Sequence, residues 1–368
     1  MFQCFNYIVS EIAVEISEIS VDKYHQVLKA HDKASGLKAI IALHNTNCGP
    51  AVGGTRLYPY PTEEDALHDV LRLAKGMTYK SALANVPFGG GKSVIIGDVH
   101  DKSDALLEAF GRFVDSLEGA YICAEDMNTT PEDMAIVRRV TPHVLGLDGA
   151  SGDPSPLTAL GVVESMRTTV HHLGLDMENL TVTVQGVGHV GKIITELLRK
   201  EDVTVYISDI REDVLRDVAD TTGAIVVSPE DALTTPCDIL APSAMGAVLN
   251  NKTIPHLQCK AIVGAANNQL ETFEDAARLH QRGILYAPDY LVNAGGIINV
   301  FFEHQSEKYD GQGARRKVIE IGQTLGTIFK LAEKENILPI QAADRLAEER
   351  FTQGTTANTQ ADKHSAVS

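Results

Sequence analysis

Helical and strand periods alternate along residues 1–148. Apolar positions in 9–28 recur at helical spacing among acidic ones, which predicts an amphipathic helix. A second helix begins at Thr62, where Thr62 and Asp65 make a start like a capping box, and it has a buried face up to Met77. The other elements predicted here are strand 38–43, strands at Gly53 and Val94, helix 101–117, strand 121–123, and a helix with Thr130 as N-cap and Pro131 as first residue.

From residue 180 the pattern changes to alternating strands and helices, which predicts a parallel, doubly wound sheet. The segment GASGDPSP at 149–156 predicts a domain boundary after residue 148. A helix at 158–173 is expected to stop at Gly174. The predicted strands are 181–185, 203–208, 224–227, 238–240, 261–263 and 284–286, and the predicted helices are 192–200, 293–302, 313–335 and 337–350. The predicted fold class is therefore α/β with two domains, which suits 368 residues.

A glycine-rich turn joins the first strand of the second half to its helix. It consists of Gly186, Val187, Gly188, His189, Val190 and Gly191, and Asp209 follows about 20 residues later at the end of the next strand. This arrangement predicts a dinucleotide site with the pyrophosphate at the helix N-terminus and Asp209 accepting from ribose hydroxyls. Asp209 repels a 2′-phosphate, so NAD is favoured over NADP, although Arg211 lies nearby.

Candidate chemistry in the first half centres on lysines and one aspartate. Lys80 lies near the end of the Thr62 helix, and Lys92 directly follows three glycines. The glycines do not form a phosphate loop, because Val86 occupies a required glycine position and residues 93–96 have the pattern of a strand. Asp126 lies on a loop between a strand and a helix start, where a rigid scaffold positions functional side chains.

Composition and charge narrow the function classes. The formal net charge of −17 argues against nucleic acid or an anionic membrane surface as partner. The first basic residue is Lys23, so no signal peptide is expected, and the apolar run 284–302 is interrupted too often to span a membrane. Five cysteines without close pairs predict reduced thiols in the cytoplasm. No HExxH or Cys/His cluster occurs, so no metal site is predicted.

Several long motifs together resemble one enzyme family. They are GGTRLYPYPTEEDALHDVLRLAKGMTYKSALANVPFGGGK, AEDMNTT, SPLTALGV, GVGHVG, CDILAPSAMG, NNQL, APDYLVNAGGIINV and AADRLAEER. They resemble the NAD-dependent glutamate, leucine, phenylalanine and valine dehydrogenases over about residues 28–350. The resemblance implies a substrate and oligomerisation domain at 1–148, a Rossmann NAD-binding domain at 149–331, a helical return segment at 332–351 and a disordered tail at 352–368. It also implies a homo-oligomer.

The resemblance also assigns roles in oxidative deamination. Lys80 corresponds to the residue that binds the substrate α-carboxylate, Lys92 to the catalytic lysine that helps water attack the imine, and Asp126 to the proton-transferring carboxylate. Gly53 and Asn268 correspond to positions whose backbone lies at the substrate. Thr158 corresponds to a residue at the nicotinamide amide.

By the same resemblance, five residues contact the substrate side chain: Val52, Met77, Ala124, Ile297 and Val300. Glutamate dehydrogenases have a lysine and a serine where this chain has Val52 and Val300, so a γ-carboxylate would lack its partners. Branched aliphatic amino acids are therefore the expected substrates. The alternatives are a phenylalanine- or tryptophan-preferring enzyme on the same scaffold, and a non-catalytic NAD-binding protein. The joint presence of Lys80, Lys92 and Asp126 counts against a non-catalytic protein.

Overall fold

The computed structural model describes residues 14–147, 151–305 and 309–354. These residues form two compact units, each with a six-stranded sheet. The first unit comprises the described residues up to Met77 together with those from Gly89 to 147, and the second comprises Thr78–Phe88 and the described residues from 151 onward. The predicted domain boundary falls in the gap at 148–150, and the domain ranges stay a prediction.

The sheet of the first unit mixes antiparallel and parallel pairs in the order β1-β2-β3-β5-β4-β6. Its strands are β1 (Glu15–Glu18), β2 (Gln26–Asp32), β3 (Leu37–Asn45), β4 (Ala51–Tyr58), β5 (Gly89–Ile96) and β6 (Tyr121–Glu125). The pairs from β1 through β2 and β3 to β5 are antiparallel, whereas β4 pairs parallel with both β5 and β6. Parallel neighbours end at the same edge of the sheet, so β4, β5 and β6 bring their final residues together.

The continuous apolar run 39–43 of β3 gives the first sheet two buried faces. Ile41 belongs to an apolar cluster with α2 (Asp104–Asp115) and α3 (Pro131–Arg138), and Ile40 belongs to a second cluster with α1 (Glu63–Leu83). Because successive side chains on a strand point to opposite faces, helices cover both sides. The α3 helix begins with the predicted cap, in which the Thr130 hydroxyl accepts from the Asp133 N–H and the Asp133 carboxylate accepts from the Thr130 N–H.

The sheet of the second unit is entirely parallel, in the order β12-β11-β10-β7-β8-β9. Its strands are β7 (Thr181–Gln185), β8 (Thr204–Ser208), β9 (Ile225–Val226), β10 (Ile239–Pro242), β11 (Ala261–Ile262) and β12 (Leu285–Tyr286). Numbered within the unit, the strand order is 3-2-1-4-5-6, with the reversal between β7 and β10. This is the Rossmann order, and dinucleotides bind at the carboxyl ends of the strands where the order reverses.

The helices of the second unit precede the first strand of its sheet, connect some of the strands and follow the last one. They are α4 (Ser155–His172), α5 (His189–Arg199), α6 (Glu212–Thr222), α7 (Glu274–Gln281), α8 (Asp289–Val292), α9 (Gly295–Gln305), α10 (Gly311–Glu335) and α11 (Pro339–Gln353). The end of α11 packs on residues 79–83, where the Arg350 guanidinium donates to the carbonyls of Ala82 and Leu83 at 3.0 and 2.8 Å. These contacts explain why the end of α1 belongs to the second unit.

The helix predicted at 9–28 is wrong. Residues 9–13 lie outside the described residues, and the remainder forms the β1–β2 hairpin. β-branched residues at Val14 and Ile16 alternate with polar ones, a pattern of period two that favours a strand over a helix. The helix α11 extends to Gln353, so Thr352 is helical, and the rest of the predicted tail from 355 lies outside the described residues. The predicted two-domain α/β class with a Rossmann sheet is confirmed.

Candidate active site

The pairing of β4, β5 and β6 places four residues of the candidate site on one face of the first sheet. Thr55 pairs with Ser93 on β5 and with Glu125 on β6. Paired residues point to the same face and their chain neighbours to the other. Gly54, Arg56, Lys92 and Asp126 therefore lie on the face opposite Thr55.

Lys92 and Asp126 form a close ion pair on this face, with 2.8 Å between Lys92 Nζ and Asp126 Oδ2. The Lys92 side chain is 9% exposed and that of Asp126 27%, so the carboxylate is the more accessible partner. Thr129 fixes the loop that carries Asp126, because its hydroxyl accepts from the Asp126 N–H at 2.9 Å and donates to the Thr55 carbonyl at 2.7 Å. The strand and loop predicted for these two residues thus bring them together.

Gly54 makes room for this pair. A Cβ atom at position 54 would lie 2.8 Å from the Asp126 Cβ, 2.5 Å from the Glu125 carbonyl oxygen and 3.2 Å from Lys92 Nζ. Any larger residue would push the carboxylate loop away from the lysine. The neighbouring Gly53 carbonyl accepts from the buried Tyr121 hydroxyl at 2.7 Å, so its orientation is fixed as well.

Sequence reasoning missed a second cation at Asp126. Arg56 Nε donates to Asp126 Oδ2 at 3.3 Å, and Arg56 Nη1 donates to Asp69 Oδ2 at 2.8 Å. The Tyr60 hydroxyl donates to the same Asp69 oxygen at 2.7 Å. The position of Arg56, two residues after Gly54 on the same face of β4, was the signal that could have identified it.

The two cations control the charge of Asp126. Burial alone would raise the pKa of the Asp126 carboxyl, but the Lys92 ammonium and the Arg56 guanidinium outweigh it and hold the pKa below its usual value. The carboxylate is therefore ionised at neutral pH. It can accept a proton from a cationic amine that approaches its exposed side.

Lys80 lies in the second unit, near the C-terminal end of α1. Its ammonium donates to Asn267 Oδ1 at 3.2 Å, and Asn293 Nδ2 donates to the same oxygen at 2.8 Å. The buried Asp289 accepts from the Gln269 N–H at 3.1 Å. Burial raises the pKa of Asp289, and the positive charge of Lys80 opposes this.

The other predicted site residues of the second unit lie on its loops and helices. Asn268 has a φ of +51° and its carbonyl accepts from the Ala247 N–H at 2.7 Å, next to the asparagine that contacts Lys80. The Thr158 hydroxyl donates to the Pro154 carbonyl at 3.1 Å, and a Cβ at Gly296 would lie 3.8 Å from it. Among the predicted substrate contacts, Ile297 is buried and Val300 half-buried in this unit. In the first unit Val52 is buried, and Met77 and Ala124 are half-buried.

The glycine turn after β7 has the geometry of a pyrophosphate site. Gly186 has a φ of +95°, and a Cβ at Gly191 would lie 2.0 Å from the Gly186 carbonyl oxygen, so strand and helix approach closely there. Gly188 caps α5 without a side-chain hydrogen bond to the first turn, whose N–H groups are thus left for an anion. Of the other turn residues, Val187 is buried, Val190 half-buried and His189 exposed. The turn therefore fits the diphosphate of a dinucleotide.

Asp209 lies beside this turn. Its Oδ2 accepts from the Val187 N–H at 2.9 Å, and its Oδ1 accepts from Arg211 Nε at 3.2 Å. Burial would raise the pKa of Asp209, but the hydrogen bonds from Arg211 and Val187 outweigh it and lower the pKa. An ionised acceptor thus stands where the adenosine ribose of a dinucleotide is expected.

Among the residues that the structure describes, no three His, Cys, Asp or Glu side chains are grouped as a metal ion would require. None of the helices formed by these residues has the length and apolar character to cross a membrane.

Comparison with known proteins identifies the family. The family described as "Glu/Leu/Phe/Val dehydrogenase, dimerisation domain" matches residues 20–143, and that described as "Glutamate/Leucine/Phenylalanine/Valine dehydrogenase" matches 211–357. This chain belongs to the Glu/Leu/Phe/Val dehydrogenase family. Its predicted membership is confirmed, and it is an oxidoreductase that acts on the CH–NH₂ group of amino acids with a pyridine nucleotide.

Individual members of the family are similar over almost their full length. The chain is 46% identical to the leucine dehydrogenase of Geobacillus stearothermophilus, over 89% of this chain and 90% of that protein. It is 44% identical to the L-tryptophan dehydrogenase of Nostoc punctiforme, over 92% and 96% of the two chains. The crystal structure of L-tryptophan dehydrogenase from Nostoc punctiforme matches with a TM-score of 0.82 and covers 90% of this chain and 96% of that one.

Proposed function

We propose that this chain catalyses the NAD-dependent, reversible oxidative deamination of L-leucine and other branched-chain amino acids to the 2-oxo acid and ammonium. The proposal rests above all on the Lys92–Asp126 pair, 2.8 Å apart and largely buried, within the residues that match the family. The bound cofactor supplies the hydride acceptor. Every proton transfer then falls to side chains of this chain.

Three side chains divide the work. Lys80 binds the substrate α-carboxylate through its ammonium group. Asp126, ionised because of its two cations, takes a proton from the substrate ammonium and leaves an amine that can lose hydride. Lys92 directs a water molecule to the imine carbon formed from the substrate, and Asp126 returns the proton to the departing nitrogen.

Gly53 and Asn268 offer backbone groups to the substrate, and Thr158 binds the nicotinamide amide.

The residue types assigned to the substrate side chain favour an aliphatic amino acid. Val52 and Val300 provide no hydrogen-bond partner for a γ-carboxylate, and burying that charge unpaired costs several kcal/mol, on the order of 2–7 even for a neutral polar group. Ala124 and the branched Ile297 leave less room for an aromatic ring than glycine and an unbranched residue would. The further contact, Met77, is apolar and adaptable.

An aromatic substrate is the second candidate. The L-tryptophan dehydrogenase of Nostoc punctiforme is almost as similar to this chain as the leucine dehydrogenase, at 44% against 46% identity. One methylene in an apolar pocket changes selectivity by only about 1–3 kcal/mol, so we expect graded rather than absolute preference.

The choice of NAD follows from the charge beside the glycine turn. Asp209 is ionised, and it accepts from ribose hydroxyls but repels the 2′-phosphate of NADP. We also propose that the chain acts in the cytoplasm as a homo-oligomer through residues 1–148, with 149–331 binding NAD.

Product analysis tests the proposed reaction. Leucine and NAD should give NADH, ammonium and 4-methyl-2-oxopentanoate in equal amounts, and the reverse mixture should consume NADH. Formation of NADH without ammonium would contradict an oxidative deamination. A Lys92→Ala variant, prepared in the same way, provides the control for contaminating dehydrogenases.

A further inference from the structure

Arg56 contacts the proposed proton-transferring carboxylate without a role in the reaction as described so far. Its guanidinium joins two carboxylates, with Nε at 3.3 Å from Asp126 Oδ2 and Nη1 at 2.8 Å from Asp69 Oδ2. The side chains of Arg56 and Asp69 are 18% and 17% exposed, so this bridge is shielded from water. An ion pair of two half-exposed surface chains would not hold a fixed geometry, whereas this one has three further anchors.

Those three anchors hold Asp69 in place. The Tyr60 hydroxyl donates to Asp69 Oδ2 at 2.7 Å, and Arg72 donates to Asp69 Oδ1 at 2.9 Å. Asp69 itself lies on the helix α1, which packs on the sheet through Ala66 and Val70. Asp69 thus holds the Arg56 guanidinium through Nη1, and the Nε–H of the same group donates to Asp126.

The two cations at Asp126 bind the same atom. Lys92 Nζ and Arg56 Nε both donate to Oδ2 rather than to Oδ1. A carboxylate held through one oxygen can direct the other towards an incoming amine. We infer that Arg56 is a positioning residue for Asp126, which clamps Oδ2 beside Lys92 and supplies a second positive charge that keeps the carboxylate ready to accept a proton.

This role rests on the proposed function of Asp126, and it predicts a change in pH dependence. The charged groups that contact Asp126 are Lys92 from β5 and Arg56 from β4, and Asp69 acts through Arg56. The Tyr121 hydroxyl of β6 lies on the opposite face of the sheet, where it interacts with Asp126 only through charge. An adjacent cation lowers the pKa of a carboxyl by about 1–3 units. Removal of the Arg56 charge should therefore raise the pH below which the enzyme loses activity.

The test is the pH profile of kcat/KM for leucine, which reports the ionisation of the free enzyme. In Arg56→Gln we expect the acid limb to move up by about one pH unit, with kcat at the optimum lowered by roughly tenfold or more and KM changed less. In Arg56→Lys the acid limb should lie close to that of the parent enzyme, since lysine restores the positive charge. Arg139→Gln removes an exposed arginine that pairs with Asp104 at 2.9 Å, and it should leave the profile unchanged.

The opposite change provides the second test. Asp69→Asn removes the negative charge that compensates Arg56, so its acid limb should move to lower pH. If Arg56→Gln does not fold, the direction in which the acid limb moves in Asp69→Asn tests the role of Arg56 instead. An acid limb that stays in place in the folded variants, or a rise in KM alone, would overturn the inference.

One further variant separates this inference from the proposed function. Asp126→Asn should lower kcat by roughly 10²–10⁴-fold if Asp126 transfers the proton. Retained turnover would refute the proposed role of Asp126, whereas lost turnover together with an unmoved limb in Arg56→Gln would refute only the role of Arg56.

Discussion

At the scale of single residues, the proposed chemistry depends on a carboxylate that is half-buried yet ionised. Asp126 would lose its charge in an apolar setting, but Lys92 and Arg56 both donate to its Oδ2. The pair costs desolvation that its mutual attraction and hydrogen bonds offset. Removal of Asp126 takes away the carboxylate that compensates both cations, whereas removal of Lys92 leaves Asp126 paired with Arg56 alone.

The first prediction concerns Lys92 and Asp126. Lys92→Ala and Asp126→Asn should each lower kcat for leucine by roughly 10²–10⁴-fold, because positioned acids and bases contribute about that much. NAD binding, measured by protein fluorescence or calorimetry, should stay within about threefold of the parent, since both residues lie outside the unit that holds the glycine turn. Near-normal turnover in Lys92→Ala would contradict the mechanism. Lys80→Ala is the contrasting variant, with KM for leucine expected to rise more than kcat falls.

The second prediction concerns Asp209. Asp209→Ser should bring the kcat/KM values for NAD and NADP closer together, because it removes the charge that repels the 2′-phosphate and leaves Arg211 free to attract it. Arg211→Gln is the matched variant, and it should widen the preference for NAD. Equal use of the two cofactors by the parent enzyme would contradict the assignment.

At the scale of secondary structure elements, sequence reasoning succeeded where local chemistry is decisive. The Thr130 cap, the stop at Gly174 and the glycine turn each depend on a few adjacent residues, and all were predicted. The hairpin β1–β2 was predicted as a helix, because apolar residues in 9–28 also recur at helical spacing. The alternation at Val14 and Ile16 and the pairing of β2 with β3 favour the strands. Arg56 was missed for a related reason. Its partners Asp69 and Asp126 are 13 and 70 positions away; the packing of α1 on the sheet brings Asp69 to it, and the register of β4 and β6 brings Asp126.

The strand β3 carries a pH-sensitive contact, and it gives the third prediction. Burial, together with the charge of Lys75, lowers the pKa of His44 to about 4, and its ring packs edge-on against Tyr24 at 4.9 Å between centroids. An unfolded histidine titrates near 6.5, so the unfolded state binds more protons between about pH 6.5 and 4. The stabilising contribution of His44 is therefore complete above about pH 6.5 and is lost as the pH falls towards 4.

Thermal unfolding at several pH values tests this contribution. The variant His44→Phe keeps an aromatic ring but cannot take up a proton. As the pH falls from 7 to 4.5, the melting temperature of the parent should therefore fall more than that of His44→Phe. His100→Gln, at a side chain that is 96% exposed, should follow the parent throughout. The prediction would be contradicted if the melting temperatures of the parent and of His44→Phe changed equally with pH.

At the scale of the whole molecule, each of the two compact units contains its own set of candidate site residues. The first contains Lys92, Asp126 and Arg56 on one sheet face, and the second contains Lys80, the asparagine loop and the glycine turn of a Rossmann sheet. The net charge of −17 does not exclude a zwitterionic substrate, because such a molecule is recognised by local charges rather than by the net charge. Family membership fixes the reaction class, while the substrate depends on a few apolar side chains.

The most direct test of the account is the ranking of kcat/KM values for leucine, valine, isoleucine, phenylalanine, tryptophan and glutamate, measured with NAD on one preparation. We predict the three branched-chain amino acids first, the aromatic ones next, and glutamate at background, because valines occupy the positions that would hold its γ-carboxylate. A value for phenylalanine or tryptophan above that for leucine would contradict the substrate assignment, and absence of activity with every amino acid would contradict the proposed function itself.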